Sequence, residues 1–311
     1  MIKSHNQSLR VTTQVVTKQS RLVRSVFLGA ALALFLAACK ELPPPGLVLK
    51  DPETGVKLVD TCYTEPSFTP QEKVVLIEEF TGVKCVNCPQ AHDDIDNIIA
   101  ARPAGRVLSA SIHNDHPLAN PHAGEEDYET PEGTDISQLV GGSFNIPSGV
   151  IDRFDFDGDG EPIEGRTNWP VRVDAQLAKA TPVNVTVSIK DYDAESRRLI
   201  AGVRLHFTQA VGAKHSISVM IIESGIIATQ SLPPPQPADP AYVHNRVLRG
   251  MMTSSLGNLL TCDLTVGTVI EKDFVRVLGE TWVPDGCEVI AFIHKSSGFD
   301  VLQAASVKVI P

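Results

Sequence analysis

The chain has little positive charge. It contains 27 Lys and Arg against 37 Asp and Glu in 311 residues, which gives a formal net charge of −10 at pH 7. Proteins that bind nucleic acid draw much of their affinity from Lys and Arg that neutralise phosphates. The composition therefore argues against a nucleic-acid partner, and the acidity is interpreted as a contribution to solubility.

The chain also lacks an apolar run of transmembrane length near its start. The uncharged run Val26–Ala38 is too short for a stable spanning helix, which needs about 20 apolar residues. The segment before it carries five cations and no acid: Lys3, Arg10, Lys18, Arg21 and Arg24. A positive region, a short apolar region and small residues at the end are typical of a secretory signal peptide.

The end of this leader resembles a bacterial lipobox, because the small residues Ala37 and Ala38 directly precede Cys39. The resemblance implies cleavage before Cys39 and attachment of lipid to that cysteine. The alternative is an ordinary secretory signal with a chance cysteine. Either reading takes the mature chain out of the cytoplasm, to a compartment where disulfides persist. Cleavage would remove the five cations and shift the formal charge from −10 to −15.

The remaining length suggests two domains. Residues 1–38 are predicted to be the signal peptide. Residues 39–60, which include three consecutive prolines, are predicted to be a stiff tether. Residues 61–181 are predicted to form an α/β domain, and residues 182–311 an all-β domain.

The most informative motif is Cys85-Val86-Asn87-Cys88, which follows an apolar run of strand type at Lys73–Phe80. After Cys85 the apolar residues recur at spacings of three and four, which predicts a helix with one buried face. A helix N-terminus stabilises the thiolate of a cysteine placed there. The motif therefore predicts a dithiol that can exchange two electrons with a partner.

The order of elements around this motif predicts a βαβ unit with parallel strands. A second strand is expected at Arg106–Ile112 and a short helix at Thr134–Val140. A turn at Ile146-Pro147-Ser148 then leads into a further strand. A helix at Asn168–Ala180 is expected to close the first domain.

This arrangement resembles the thioredoxin superfamily. The resemblance implies that the bond before Pro147 is cis and that Pro147 lies against the dithiol. It also implies that Glu79, six residues before Cys85, is a buried acid beneath the helix. Lys84, where many members have tryptophan, departs from the family pattern, and the dipeptide between the cysteines does not indicate the redox direction.

A narrower resemblance is to the Omp28-related outer-membrane lipoproteins. It rests on the lipobox, on the run Glu79–Pro89 followed by Ala91-His92, and on the later run Tyr242–Arg249. The family resemblance implies a thioredoxin-like domain followed by a β-rich domain. It also implies a lipid-anchored protein of the bacterial outer membrane, exposed either to the periplasm or at the surface.

The residues suggest a thiol–disulfide oxidoreductase acting on extracytoplasmic protein thiols or disulfides. Cys85 is expected to be the more exposed thiol and the nucleophile, and Cys88 to resolve the mixed disulfide. Glu79 is expected to have a raised pKa and to take the proton of Cys88. Pro147 would shape the groove for the partner chain.

The alternative is a structural or binding lipoprotein in which Cys85 and Cys88 form a static disulfide within a scaffold. No cofactor or metal is expected. A haem attachment site would need a histidine directly after Cys88, where the sequence has Pro89. Cys85, Cys88 and His92 lack the fourth ligand of a structural zinc site.

Three further cysteines remain at positions 62, 262 and 287, so one is free or pairs elsewhere. Cys262 and Cys287 both lie in the predicted β-domain, and we predict that they pair with each other. Cys62 is then expected to be single.

The second half of the chain shows apolar residues at every other position, which predicts a β-sandwich. Its expected strands are Val183–Ile189, Leu199–Phe207, Ile217–Ile222, Val243–Met252, Val269–Val277, Glu288–His294 and Val301–Ile310. The proline-rich segment Ser231–Ala241 is predicted to be a loop. The side chains of Tyr242, His244, Arg246 and Arg249 are interpreted as either a recognition patch or a solvated strand face.

Two polar segments contain residue types that bind metals. His113, His116 and His122 lie in a segment that we interpret as a solvated loop, because their spacing fits neither a helix nor a strand face. The acidic stretch that begins at Asp155 is interpreted as a turn, with a weak calcium site as the alternative.

Overall fold

The structure is a computed structural model that describes residues 49–50, 55, 57–66, 68–142, 145–212 and 214–311. The predicted signal peptide and Cys39 lie outside the described residues. Within them, the α-helices are α1 (Cys88–Ala100), α2 (Pro131–Leu139) and α3 (Trp169–Leu177), with short 3-10 helices at Arg166–Asn168 and Pro284–Gly286.

The strands of the first half are β1 (Leu49–Lys50), β2 (Lys57–Leu58), β3 (Asp60–Thr64), β4 (Val75–Thr81), β5 (Val107–His113), β6 (Ser148–Ile151) and β7 (Ile163–Glu164). Those of the second half are β8 (Val183–Asp193), β9 (Arg198–Phe207), β10 (His215–Glu223), β11 (Ile226–Gln230), β12 (Asp239–His244), β13 (Val247–Met251), β14 (Asn258–Leu259), β15 (Thr268–Val277), β16 (Cys287–Lys295) and β17 (Val301–Lys308). The described fold is mixed α/β and mostly sheet.

The largest sheet has nine strands and contains the predicted βαβ unit. Its order is β17-β16-β10-β13-β5-β4-β6-β7, and β14 pairs with β10 outside this path. Strands β4 and β5 run parallel and are connected through α1, as the sequence predicts. A parallel contact between β13 and β5 joins strands from the two sides of the predicted boundary at residues 181 and 182.

Strand β4 lies at the centre of the first half, and all seven of its residues are buried. Its alternate residues face opposite sides of the sheet. Val75 and Ile77 pack against Ala91 and Ile95 of α1. Leu76 and Phe80 point the other way, into the cluster that also contains both cysteines of the motif.

The second sheet has the order β3-β15-β9-β8. Alternate apolar residues of β8 and β9 share one buried cluster with those of β10 and β16 in the nine-stranded sheet. The two sheets therefore pack on a common core in the second half of the chain. Strand β3, in the region predicted as tether and first domain, contributes the edge strand of this second sheet.

The predicted strand Val243–Met252 is divided in two. Strand β12 ends at His244 and β13 begins at Val247, with Arg246 between them at a φ of 58°. Left-handed backbone of this kind interrupts a ladder because L side chains rarely adopt it. The predicted proline-rich loop at Ser231–Ala241 is confirmed up to residue 238, and β12 then pairs with the unpredicted strand β11.

The predicted pairing of Cys262 with Cys287 is wrong. A disulfide joins Cys62 to Cys262, whose Cα atoms lie 6.5 Å apart. The reason is topological, since β3 pairs with β15 and carries Cys62 to the second sheet, near the core against which Cys262 packs. Cys287 is a free, buried thiol at the start of β16, and burial raises its pKa to about 12.

None of the helices in the described part of the chain combines the length and the hydropathy that crossing a membrane requires.

Candidate functional site

The Cys85–Cys88 disulfide closes the turn between β4 and α1. The turn is fixed by two backbone hydrogen bonds, from the Cys85 N–H to the Gly82 carbonyl (3.0 Å) and from the Cys88 N–H to the Cys85 carbonyl (3.2 Å). Helix α1 begins at Cys88, and Asn87 supplies no side-chain cap to its first N–H groups. These groups give the helix start a partial positive charge, which favours a thiolate beside it when the disulfide is reduced.

Both cysteines are buried, with exposed fractions of 2% for Cys85 and 0% for Cys88. Cys85 is the more exposed of the two, as expected, but the difference is small and neither cysteine lies open at the surface. The sequence reasoning considered only the helix and its preceding strand. It missed two distant segments that lie over the turn, at residues 114–130 and 226–231, which together we call the cover.

The contacts between the cover and the turn are specific. The side-chain amide of Gln230 donates to the carbonyls of Cys85 (2.9 Å) and Gly82 (3.3 Å). The Ser231 N–H donates to the Val83 carbonyl at 2.8 Å. On the other side, the Lys84 N–H donates to the Leu118 carbonyl at 2.9 Å. These contacts fix the cover against the turn that holds the buried dithiol.

Gly82 makes this close approach possible. A Cβ atom at this position would lie 2.4 Å from the Leu118 carbonyl oxygen and 2.7 Å from the Ala119 nitrogen, both of them backbone atoms. Backbone atoms cannot give way as a flexible side chain would. A larger residue at position 82 would therefore push residues 118–119 off the turn.

The bond between Ile146 and Pro147 is cis, as the thioredoxin resemblance implies. Ile146 belongs to the buried cluster that contains Cys85 and Cys88. The direct contact between Pro147 and Cys85 stays a prediction.

Glu79 is fully buried on the face of β4 that packs against α1. The Ser111 hydroxyl donates to its Oε2 at 3.1 Å, whereas Oε1 has no hydrogen-bond partner and lies 3.4 Å from His92 Nε2. As predicted, burial raises the pKa of Glu79, to about 8. Its neighbour Glu78 faces the opposite side, where two bonds of 2.6 Å from the Arg153 guanidinium hold it.

His92, one turn into α1, is the main site residue that the sequence reasoning missed. Its Nε2 lies 3.0 Å from the Thr81 hydroxyl, and its Nδ1 lies 2.7 Å from the hydroxyl of Tyr242 on β12. Burial lowers the pKa of His92 to about 4 and raises that of Tyr242. Both groups are therefore neutral at pH 7. His92 appeared in the sequence only as a possible metal ligand, and 150 residues separate it from Tyr242.

A small polar pocket of about 230 Å³ opens beside this pair. It is lined by His92, Asp93, Asp96, Tyr242, Val243, Asn245 and Arg246. The guanidinium of Arg246 forms an ion pair with Asp96 at 2.7 Å. The run Tyr242–Arg246, interpreted as a patch or a solvated face, instead packs beside α1 and forms one wall of the pocket.

A chain of aromatic rings continues inward from Tyr242. His244, Tyr128 and His113 follow, with successive ring centroids 4.9, 5.7 and 5.4 Å apart. Burial lowers the pKa of His244 to about 4 and that of His113 to about 3. The interpretation of His113 as part of a solvated loop is therefore wrong, because it ends β5 inside the fold.

Among the described residues, no cluster of three or more His, Cys, Asp or Glu side chains is arranged to hold a metal ion. The acidic stretch at Asp155 is a turn in which the Asp155 carboxylate accepts hydrogen bonds from the N–H groups of Gly158 (2.7 Å) and Gly160 (2.8 Å).

Comparison with solved structures supports the fold. HBP35 of Porphyromonas gingivalis is similar with a TM-score of 0.60 at 16% identity, over 78% of this chain and 76% of that one. A domain of the outer membrane lipoprotein Omp28 from the same organism covers 42% of this chain and 90% of its own, at 15% identity and a TM-score of 0.29. At such identities the first likeness concerns the fold alone, and the second carries no argument. Comparison with curated protein sequences gave no match.

The family model described as outer membrane protein Omp28 matches residues 140–311, more than half of the chain. The match confirms the family resemblance that the sequence motifs suggested. It also locates the protein at the bacterial outer membrane, in agreement with the lipobox of a lipoprotein. The chain belongs to the Omp28 family of outer membrane proteins.

Proposed function

We propose that this protein is a lipid-anchored thiol–disulfide oxidoreductase of the outer membrane, acting on extracytoplasmic protein thiols or disulfides. In this proposal, a thioredoxin-like α/β part carries the dithiol and a β-sandwich part follows it. One observation carries the proposal. Cys85 and Cys88 form a disulfide at the uncapped start of α1, directly after the central strand β4. This is the environment that lowers a thiol pKa and makes a dithiol exchangeable.

The reaction would begin from the reduced dithiol. The Cys85 thiolate attacks a sulfur of the substrate disulfide, forming a mixed disulfide and releasing one substrate thiolate. Cys88 then loses its proton and attacks Cys85, so that the Cys85–Cys88 bond forms and the second substrate thiolate leaves. The substrate gains two electrons and the protein loses them. An extracytoplasmic dithiol protein would have to restore the reduced form, and the reverse sequence would oxidise a substrate dithiol.

The cover restricts this chemistry to its open state. Gln230 and Ser231 hold one side of the turn through hydrogen bonds to backbone carbonyls, and Leu118 holds the other. Net contributions of such bonds are modest, about 1 kcal/mol each, so local opening is accessible without global unfolding. We therefore expect exchange to be slower than in a protein with an exposed dithiol, but faster than global unfolding.

The test is rapid mixing of the reduced protein with a small aromatic disulfide whose released thiol absorbs light. A burst of one thiol followed by a second is expected for wild type. Cys88→Ser should release only the first thiol and accumulate the mixed disulfide, whereas Cys85→Ser should lose the burst. An exchange rate no higher than that of a free dithiol of similar pKa would refute the proposal.

The burial of both sulfurs favours a second candidate, a binding or structural lipoprotein in which the disulfide only fastens the turn. Its cysteines have exposed fractions of 2% and 0%, which suits a static bond. The reduction potential separates the candidates. Structural disulfides of secreted proteins have potentials below about −300 mV, and catalytic ones lie higher. A value in the lower range would favour the scaffold.

A further inference from the structure

A continuous series of polar groups leads from the buried carboxyl of Glu79 to the pocket beside Tyr242. Thr81 lies on the same face of β4 as Glu79, and its hydroxyl is 3.0 Å from His92 Nε2. The other ring nitrogen of His92 is 2.7 Å from the Tyr242 hydroxyl. Tyr242 in turn lines the pocket. Each step is within hydrogen-bond reach of the next.

The series has one unsatisfied end, and that end is inside the protein. Glu79 Oε1 is buried without a hydrogen-bond partner and is 3.4 Å from His92 Nε2. Leaving a buried polar atom unpaired costs free energy, so such an atom calls for an explanation. One explanation is that this carboxyl oxygen gains and loses a proton during turnover. Such an oxygen needs a different hydrogen-bond partner in each protonation state.

The groups around Glu79 come from every element packed against it. Ser111 on β5 and Thr81 on β4 offer hydroxyls, His92 on α1 offers an imidazole, and Arg246 and Asp96 bring opposite charges. Arg246 and Asp96 form an ion pair with each other. Burial affects the pKa of Glu79 more than these two charges do. The carboxyl can therefore hold a proton near neutral pH.

Helix geometry connects this series to the dithiol. Cys88 and His92 are four residues apart on α1, and residues at that spacing lie one above the other on the same helix face. Cys88 is therefore one turn away from the imidazole that touches Thr81. The series therefore passes within one helical turn of the cysteine whose proton must leave during resolution.

We propose that Thr81, His92 and Tyr242 form a proton exit from Glu79 to the pocket at Asp93, Asp96 and Arg246. This inference rests on the proposed oxidoreductase function and adds the route by which the proton released in the resolving step reaches solvent. His92 and Tyr242 act through Glu79 and do not touch the reacting sulfurs.

The step balances as follows. The Cys88 thiol gives its proton to the Glu79 carboxylate, and the resulting thiolate attacks Cys85 and displaces the substrate thiolate. Glu79 then passes this proton to His92 Nε2, directly or through the Thr81 hydroxyl. His92 releases the proton on Nδ1 to the Tyr242 oxygen, and Tyr242 passes its own hydroxyl proton to water in the pocket. The departing substrate thiolate takes a proton from solvent.

The test measures the resolution rate of a trapped mixed disulfide in Tyr242→Phe, with Tyr192→Phe as the matched control on β8. Tyr242→Phe keeps the ring and removes only the hydroxyl. We expect resolution at pH 7 to slow by about tenfold, the lower part of the range for general acid–base effects. The first attack by Cys85 should keep its wild-type rate. The control should match wild type in both steps.

Rescue by a small base separates a proton route from a structural role. The pocket volume of about 230 Å³ admits imidazole, so millimolar imidazole should restore resolution in Tyr242→Phe and leave wild type unchanged. His92→Gln, which removes the ring that links Glu79 to Tyr242, should show the same slowing.

Three results would overturn the proton exit: wild-type resolution in Tyr242→Phe, equal slowing of both steps, or slowing that imidazole does not relieve. Each of these leaves the oxidoreductase proposal standing. If wild type itself shows no exchange above a free dithiol, the oxidoreductase proposal fails first and the proton exit fails with it.

Discussion

At the scale of single residues, burial of the Glu79 carboxyl carries an electrostatic cost at the site. Its pKa of about 8 in the folded protein lies above the ordinary value of 4.5 because burial disfavours the carboxylate. The folded state therefore binds a proton that the unfolded state has already released at neutral pH. The stability associated with this group is fully present below pH 4.5 and is lost as pH rises toward 8.

Glu79→Gln should remove this pH dependence. One such group changes the free energy of unfolding by at most about 1.4 kcal/mol per pH unit between its two pKa values. We expect the stability of the variant to rise more steeply from pH 5 to pH 8 than that of wild type, because the opposing effect of Glu79 is gone. Urea unfolding at several pH values measures this. Glu72→Gln is the control, since that acid is exposed and should leave the slope unchanged. Parallel slopes for Glu79→Gln and wild type would contradict the assignment.

The residue scale also shows what the sequence could predict about the site. Strand alternation placed Glu79 toward α1 and Glu78 away from it, and both placements are confirmed. His92 and Tyr242 could not be paired in this way, because 150 residues separate them and neither spacing nor periodicity relates them. The burial of the dithiol could not be predicted for the same reason, since the cover comes from distant segments.

At the scale of secondary-structure elements, the hairpin of β11 and β12 is distant in sequence but contacts the site directly. Periodicity predicted β4, α1 and β5, because each has a regular buried face. It did not predict β11, a strand of five residues that pairs with β12 and ends on the dithiol turn. The contact of Gln230 with Cys85 exists only in the folded chain and leaves no local pattern in the sequence.

Gln230→Ala should loosen the cover. Removing its amide takes one donor from the Cys85 and Gly82 carbonyls, which keep their backbone donors, and costs about 0.5–1.5 kcal/mol. We expect faster reduction of the Cys85–Cys88 disulfide by a small thiol, by about tenfold, measured by alkylation and mass spectrometry. Gln236→Ala is the matched control, because Gln236 is exposed in the proline-rich loop that follows β11. Equal reduction rates in wild type and Gln230→Ala would show that Gln230 does not gate the dithiol.

At the scale of the whole molecule, four histidines change folding stability with pH in the direction opposite to Glu79. The pKa values of His92 and His244 are lowered to about 4, and those of His113 and His294 to about 3, in each case mainly by burial. Their neutral forms are compatible with the core and their charged forms are not. A histidine with a lowered folded pKa contributes stability that is present above pH 6.5 and is lost as pH falls below it.

Acid should therefore destabilise the protein before its exposed carboxylates titrate. Each histidine steepens the loss by up to about 1.4 kcal/mol per pH unit below pH 6.5, and together they outweigh the opposite effect of Glu79. We expect the urea midpoint to be lower at pH 5 than at pH 7, with proton uptake on unfolding at pH 5. His294→Asn should reduce this uptake by about one proton. A midpoint that does not fall from pH 7 to pH 5 would contradict the buried neutral state of these rings.

The expected lipobox at Cys39 and the acidity of the residues after it also bear on location. Membership in the Omp28 family places the protein at the outer membrane. The lipobox predicts that it is attached there through lipid on Cys39. A single acyl chain binds a membrane only reversibly, so stable anchoring needs more than one. Lipid on both the thiol and the new amine of Cys39 would supply more than one acyl chain. The net charge of the remaining chain offers no substitute, because an acidic surface is not drawn to anionic lipid.

Cys39→Ser should therefore release the protein from the membrane. We expect the variant to keep its leader uncleaved or to appear in the soluble periplasmic fraction, whereas wild type stays in the outer-membrane pellet. Cell fractionation with mass measurement of the N-terminus distinguishes these states. Cys287→Ser is the control, since Cys287 is buried in the fold and should leave localisation unchanged. A Cys39→Ser protein that is correctly cleaved and still pellets with the outer membrane would show that attachment resides in the folded part of the chain.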